Sequence, residues 1–380
     1  MKLKCLLPAC ATGFLLLPPA GAQDLRPVPE FKNGLESEPT TKRSDFVIVE
    51  DLQAIDRFNS NPVRVRQAFN AALLTWTGKS NLSDAWRSLV DPGDRVGIRI
   101  NARGGAMAGT DPALVQAVVD GLREAGIRAE DIVVWDKYPH HMIASGFVPM
   151  APKQQWQCKS VVDGAGWDPE VFYFHETVGR LIWGDHEFVG SALPKIESPE
   201  KEPIKPEPLP GSDSEEQISN RSYFNRIVTQ QVDKLINLPA MTSHPGTGIQ
   251  GCLASLALGS VDNHRRFLDG SNPSATAIAE LYARPEIQDR IVLHIVDGLV
   301  MQYAGGPDFD PNHALSSGLI LIGQDPVAID SWMLQQMEFQ REDHQVVNIG
   351  EKAKHIKAAR AFGLGEHFEN VEITRIGPQD

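Results

Sequence analysis

Residues 95–136 leave this chain few ways to fold. Residues 95–100 (RVGIRI) read as a strand ending at Asn101. Glycines at 104, 105 and 109 then make a turn, and Asp111-Pro112 supplies a helix cap with a first-turn proline. Leu114, Val118 and Leu122 share one helical face, and Gly126 stops that helix. Residues 131–135 (DIVVW) form the next strand, ending at Asp136. Strands joined through a helix in this way run parallel, so the expectation is an α/β fold with a mostly parallel, Rossmann-like sheet flanked by helices.

A second unit repeats the grammar over residues 233–259 (DKLINLPAMTSHPGTGIQGCLASLALG). A short apolar strand carries Asn237; a proline, His244 and the glycines at 246, 248 and 251 follow, and then an apolar helix from Ile249. A glycine-rich loop before a helix leaves the first helical N–H groups bare, so an anion or a polar ligand edge is expected there. The loop 246–251 matches G-x-G-x-x-G in letters. Five residues separate Pro239 from its first glycine, and no acid stands at the usual distance, so NAD is not expected.

The remaining segments fit the same architecture. Residues 45–50 (DFVIVE) read as a strand, and Val65, Phe69, Leu73 and Trp76 as one stripe of a helix opened by Asn61-Pro62. Further strands are expected at 159–162, 171–175, 180–183, 291–296, 318–323 and 371–376, with the second and third of these joined at residues 178–179. Further helices are expected at 83–90, 275–283, from Asp325-Pro326 to about 338, and at 349–362. Residues 194–217 are rich in Pro, Glu, Lys and Ser, a composition that cannot bury enough apolar surface to order itself, so a mobile insertion is expected. Residues 45–380 then make one domain.

The first 22 residues read as a Sec-type signal peptide: Lys2 and Lys4, an apolar stretch broken by prolines at 8, 18 and 19, and a small-x-small cleavage site at 20–22. Residues 23–44 follow as an extended leader, and the protein is expected to be exported, periplasmic or extracellular. No later run is long and apolar enough to span a bilayer. The formal charge is −13, and −15 without the first 22 residues, which carry two lysines and no acid. Nothing in so acidic a chain offsets repulsion by phosphates, so nucleic acid is not an expected partner. Only Cys158 and Cys252 remain beyond residue 22. Two thiols cannot hold an iron–sulfur cluster, which usually takes four. They could pair in an oxidising compartment, although two buried small side chains is the simpler reading.

Five strands finish on or beside a polar residue: Asn101, Asp136, Asn237, Asp297 and Asp325. In a parallel sheet such ends share one edge, and ligands bind in the crevice outside it. The expected site is a cleft for a small polar or anionic molecule lined by these five with His244 and Asp330, with Gly246, Gly248, Gly305 and Gly306 in its loops and Arg266 as counter-charge. If the protein is an enzyme, His244 or an aspartate such as Asp297 is the candidate acid or base. Histidines 140, 141, 244, 264 and 313 lie in loops near the strand ends, and with Asp136 and Asp297 could hold a metal, although no ligand spacing singles out a set.

Several of these motifs together resemble a known family. RVGIRIN, LREAG before DIVVWD, LINLP followed by His244 and the glycine loop, HRRF at 264–267, IVDG at 295–298, GGP at 305–307 and DPVAID at 325–330 are similar to the family called domain of unknown function 362, over roughly residues 46–376. The resemblance implies an α/β fold with no settled activity. Some members carry a fused ferredoxin-type iron–sulfur domain, for which this chain lacks the cysteines. The chain also departs from the family where charge matters. It has Arg99-Ile100-Asn101 where the family tends to Lys-x-Asn, Met241-Thr242 where lysines are frequent, and Ala254-Ser255 where Lys-Asn is favoured. Either Arg99, Arg265 and Arg266 replace those ammonium groups, or the ligand differs, or the chain is a non-catalytic binding or assembly protein that has kept the fold and lost the chemistry.

Overall fold

The computed structural model describes residues 45–148, 156–189 and 217–377. The readings of residues 1–44 as signal and leader, and almost all of the 194–217 insertion, lie outside the described residues. The strands are β1 (Phe46–Glu50), a two-residue pair β2 (Ile55–Asp56) and β3 (Asn59–Ser60), β4 (Val96–Ile100), β5 (Ile132–Asp136), β6 (Gln157–Ser160), β7 (Trp167–Arg180), β8 (Ile218–Asn225), β9 (Lys234–Leu238), β10 (Ala240–His244), β11 (Gly248–Ile249), β12 (Ile291–Gln302), β13 (Ala314–Gly323) and β14 (Ile373–Ile376). The helices are α1 (Pro62–Thr77), α2 (Leu82–Arg87), α3 (Gly105–Ala108), α4 (Pro112–Glu124), α5 (Pro139–Ala144), α6 (Cys252–Gly259), α7 (Asn272–Tyr282), α8 (Pro285–Gln288), α9 (Pro326–Asp343) and α10 (Lys354–Ala361).

The main sheet has the order β14-β1-β13-β12-β9-β4-β5-β6, and β10 also pairs with the second half of β12. Every pairing along that path is parallel except those made by β13, so the sheet is mixed and mostly parallel, as expected for an α/β fold. Alternate residues of each strand feed two separate cores. Val133 and Trp135 of β5 pack with α6, α7, α9 and α10 on one face; Ile132 and Val134 pack with α1, α2 and α4 on the other. Helix α1 shows why the sequence folds this way locally. The Asn61 side chain accepts from the Val63 and Arg64 N–H groups, Pro62 starts the helix, and Val65, Phe69, Leu73 and Trp76 are buried on one stripe.

Three expectations about the elements are corrected. Residues 171–175 and 180–183 are not two strands: β7 runs unbroken for 14 residues to Arg180, and its antiparallel partner is β8, from the far side of the insertion. Gly179 is small for another reason, since a Cβ there would stand 2.2 Å from Asn263 Oδ1. The run 233–259 is not simply strand, loop and helix. Past Pro239 the chain re-enters the sheet as β10, which hairpins with β11 before α6 begins.

The third correction concerns two carboxylates expected at the ends of parallel strands. Because β13 is antiparallel, its end at Asp325 lies on the opposite edge of the sheet from the ends of β4, β5 and β9. There the Asp325 carboxylate caps α9, accepting from the Ala328 N–H at 2.8 Å and from the Glu366 N–H at 2.8 Å. Asp297 does not end its strand, because β12 continues to Gln302. It is buried, and its two oxygens accept from the Asp111 N–H at 2.6 Å and the Leu299 N–H at 3.1 Å.

Burial, followed by the neighbouring Asp111 carboxylate, pushes Asp297 up to about 7. An acid whose folded pKa is raised favours folding most below its unfolded value near 4, and that contribution is lost as pH rises through 7. Asp297→Asn removes this titration. Relative to the native protein, the variant is expected to gain about 1 kcal/mol or more of stability between pH 5 and pH 8. Urea denaturation at both pH values measures this, and a native-minus-variant difference that does not change with pH contradicts it.

Candidate functional site

Strands β4 and β9 are adjacent and parallel, yet the chain leaves them in opposite directions. From β4 it crosses by α4, on one face, to β5; from β9 it continues through β10 and α6, on the other face, toward β12. Such a reversal opens a crevice at the carboxyl ends of the two strands. Thr110 crosses this gap, its hydroxyl donating to the Leu238 carbonyl at 2.8 Å and accepting from the Asn101 N–H at 2.8 Å. Beside it lies a cavity of about 100 Å³.

Alternation along the strands builds the floor. Arg99 stands opposite Trp135 on β5 and Asn237 on β9, and Lys137 is one alternation beyond Trp135. All four side chains therefore point to the face that α6 covers. Arg99 and Lys137 line the cavity under the second half of α6, from which Ser255, Leu258 and Gly259 complete the roof. A Cβ at Gly259 would stand 2.4 Å from Arg99 Nε, so only glycine lets the guanidinium lie beneath the helix. His244, Thr247 and Gln250 from the β10–α6 connection form one wall, and Asn101, Arg103, Tyr138 and His141 surround the mouth. Across that mouth Arg103 makes a two-pronged ion pair with Asp308, with both contacts at 3.0 Å.

The electrostatics follow from burial. Arg99 is 6% exposed; burial draws its pKa down and Asp136, 3.0 Å from Nη1, opposes that. Asp136 also accepts from the backbone N–H groups of Ala102 and Lys137. Lys137 Nζ donates to the Leu258 carbonyl at 2.7 Å and the Val261 carbonyl at 2.7 Å, and lies 2.9 Å from His264 Nδ1. Burial pushes this ammonium down to about 7, with Asp185 raising it and Arg99 lowering it further. His244 Nδ1 accepts from the Gly246 and Thr247 N–H groups at 3.1 and 3.2 Å, which leaves Nε2 carrying the proton. Burial lowers His244 to about 4, and lowers His141 to about 4. At neutral pH His244 is thus an uncharged hydrogen-bond donor rather than an acid or base.

Of the residues expected from sequence, Asn101, Asp136 and His244 come together here, and the others do not. Asn237 is fully buried beneath the floor, donating to the Cys252 carbonyl at 2.9 Å beside His294. Arg266 is no counter-charge. Its guanidinium donates to the carbonyls of His175, Thr177 and Tyr173 and to the Ser222 hydroxyl, tying the β7–β8 ribbon to the body. Asp330 receives the Cys252 and Leu253 N–H groups at 2.5 and 2.9 Å, so the chain's own carboxylate already fills the helix N-terminus that was expected to cradle a ligand. The loop glycines are small for the chain's own sake: a Cβ at 246 would meet the Leu268 carbonyl, at 248 the Ala353 backbone, and at 251 the Asp330 carboxylate. Gly305 and Gly306 likewise pack against Asp310 and Ser243.

A metal set built on Asp136 and Asp297 is not assembled. Their oxygens are engaged by separate backbone groups, and no three His, Cys, Asp or Glu side chains gather around one point among the described residues. His313 pairs with Asp310 at 2.7 Å. Cys158 and Cys252 are both free thiols. Among the described residues no helix is long and apolar enough to cross a membrane. Sequence reasoning missed Lys137, although its two-residue step from Trp135 was legible; Ser255 and Gln250 carried no local signal.

No curated protein matches this chain. A crystal structure of a Thermotoga maritima protein from a structural-genomics programme aligns with 77% of this chain and 61% of its own, at 11% identity and a TM-score of 0.39. The family model described as a domain of unknown function (DUF362) matches residues 205–335, a range that holds the β9–β13 half of the site but not Arg99, Asp136 or Lys137. Over that range the chain is similar to the DUF362 family.

Proposed function

We propose that the protein binds a small oxyanion, a carboxylate or phosphate-type group, in the cavity at the carboxyl ends of β4, β5 and β9. The observation that carries this reading is the unspent donor capacity at the floor. Arg99 Nε and the Ser255 hydroxyl are buried at the cavity and have no hydrogen-bond partner among the described residues. Leaving such groups without acceptors costs about 1–3 kcal/mol each, more when charged. The His244 Nε2–H and the Asn101 amide add donors, and the Lys137 ammonium adds positive charge, so a ligand is favoured when it supplies acceptors. The volume suits a small acid, well below the roughly 300 Å³ at which drug-sized sites begin. This reading keeps the expected edge of the sheet and replaces the backbone cradle with side chains. We also propose export, carried by the basic and apolar start of the sequence.

Malonate or inorganic phosphate at millimolar concentration is expected to raise the melting temperature of the native protein. Ser255→Ala is expected to weaken the anion several-fold without loss of stability, and Arg99→Gln by about tenfold or more, which is about 1.4 kcal/mol. If neither probe shifts the melting temperature of the native protein, the site is not an anion site.

The affinity is also expected to depend on pH. An anion favours the protonated form of Lys137, so binding strengthens below pH 7 and weakens as pH rises through about 7. Lys137→Met is expected to flatten that profile in calorimetric titrations, and an unchanged profile would assign the dependence to another group. For export, amino-terminal sequencing of protein collected outside the cytoplasm is expected to begin at Gln23; a chain that keeps its first 22 residues in the cytoplasm overturns that part.

A further inference from the structure

We propose that the ligand of the cavity is a short dicarboxylic acid, with one carboxylate at the Arg99 floor and the other at the mouth, on the free end of the Arg103 guanidinium. This rests on the anion site proposed above and names its substrate class. Of the residues around the mouth, Asn101, Arg103, Tyr138 and His141, only the arginine is a permanent cation. Its side edge, Nε and Nη2, is spent on the Asp308 carboxylate, with both contacts at 3.0 Å. The end formed by Nη1 and the second Nη2 hydrogen has no hydrogen-bond partner among the described residues. Asp308 stands outside: Arg103 lines the cavity and Asp308 does not. The reach of the two charges agrees with this. Burial is the main cause that lowers His141, His244 and His264, and Arg103 lowers all three further. Asp308 opposes it at His141 and His244 alone, and more weakly. The cation therefore sits nearer the cavity walls than the carboxylate that holds it.

Both members of the pair are anchored through the backbone. Ala102, next to Arg103, donates its N–H to Asp136 at 2.8 Å and accepts at its carbonyl from the Ser145 hydroxyl at 2.7 Å. On the other side, the fully buried Gln302 amide donates to the Asp308 carbonyl at 2.8 Å and accepts from the Asp310 N–H at 3.1 Å. Asp308 thus orients the guanidinium from behind before a ligand arrives, which lowers the ordering cost of binding. A planar guanidinium end matches the two oxygens of a carboxylate. The carbonyl end of α6 above the floor disfavours concentrating two negative charges at one point, so two single charges set apart suit the site better than one dianionic group. The cavity of about 100 Å³ keeps the chain between them short. The competing reading is that Arg103 and Asp308 only tie two surface loops together. Their side chains are 41% and 72% exposed, and so exposed a pair stabilises a fold little.

The test is calorimetric titration of the native protein with malonate and with malonamate, which has nearly the same shape but an amide in place of one carboxylate. Malonate is expected to bind at least tenfold more tightly. In Arg103→Gln that preference is expected to shrink to about threefold or less, through weaker malonate binding. These ratios correspond to about 1.4 and 0.6 kcal/mol. Arg99→Gln is expected to weaken both ligands about tenfold, because each places a carboxylate at the floor. Equal affinity of the native protein for the two ligands, or the same preference in the native protein and Arg103→Gln, overturns the proposal. If both ligands still bind in that case and weaken in Arg99→Gln, the oxyanion site stands and Arg103 only ties the loops. If neither ligand binds the native protein, both readings fall.

Discussion

Everything at the site follows from one topological constraint: neighbouring parallel strands, β4 and β9, hand the chain to opposite sides. The connections cannot occupy the same space, so the backbone parts at the carboxyl ends and leaves a gap that side chains must line. Pro239 shapes that gap. It ends β9, its carbonyl accepts from the Asp297 N–H at 2.9 Å, and the chain beyond it pairs with the far half of β12. The wall that carries His244 is therefore an extension of the sheet rather than a loose loop. The whole stretch from 240 to 249 is buried except Pro245, so His244 is held in place before any ligand arrives.

The second constraint is that the chain satisfies its own helix ends. Asp330 occupies the start of α6 and Lys137 its end. This orientation places the carbonyl end of the helix, not its N–H end, over the cavity. Any affinity for anions must therefore come from side-chain cations sunk below the helix, working against the dipole of the element above them.

The sheet and its mostly parallel sense were legible because they depend on local patterns: apolar runs, turn residues and the alternation of strand with helix. The strands at β4 and β5 and the stripe of α1 fall where the residues put them. What the sequence concealed depends on distant partners. GLILIG reads equally well in either strand direction, and only its pairing with β1 and β12 sets β13 antiparallel, which carried Asp325 to the wrong edge. The glycines at 246, 248 and 251 look like room for a ligand until Leu268, Ala353 and Asp330 are seen to fill it. Strand β8 went unread because its partner is on the other side of the insertion. Asn101, Asp136 and His244 could be singled out because strand ends are local, and the structure puts them around one cavity; Lys137 was passed over beside the more conspicuous Asp136.

Gly259 carries a consequence of its own. The space it leaves is taken by a guanidinium from a strand 160 positions earlier in the chain, so the two positions are one steric unit. A methyl group at 259 would evict the arginine and with it the charge at the bottom of the pocket. A relative bearing alanine or serine there must also have shortened or removed the side chain at 99. The floor of the cavity is therefore set by paired positions that no single-site comparison would connect.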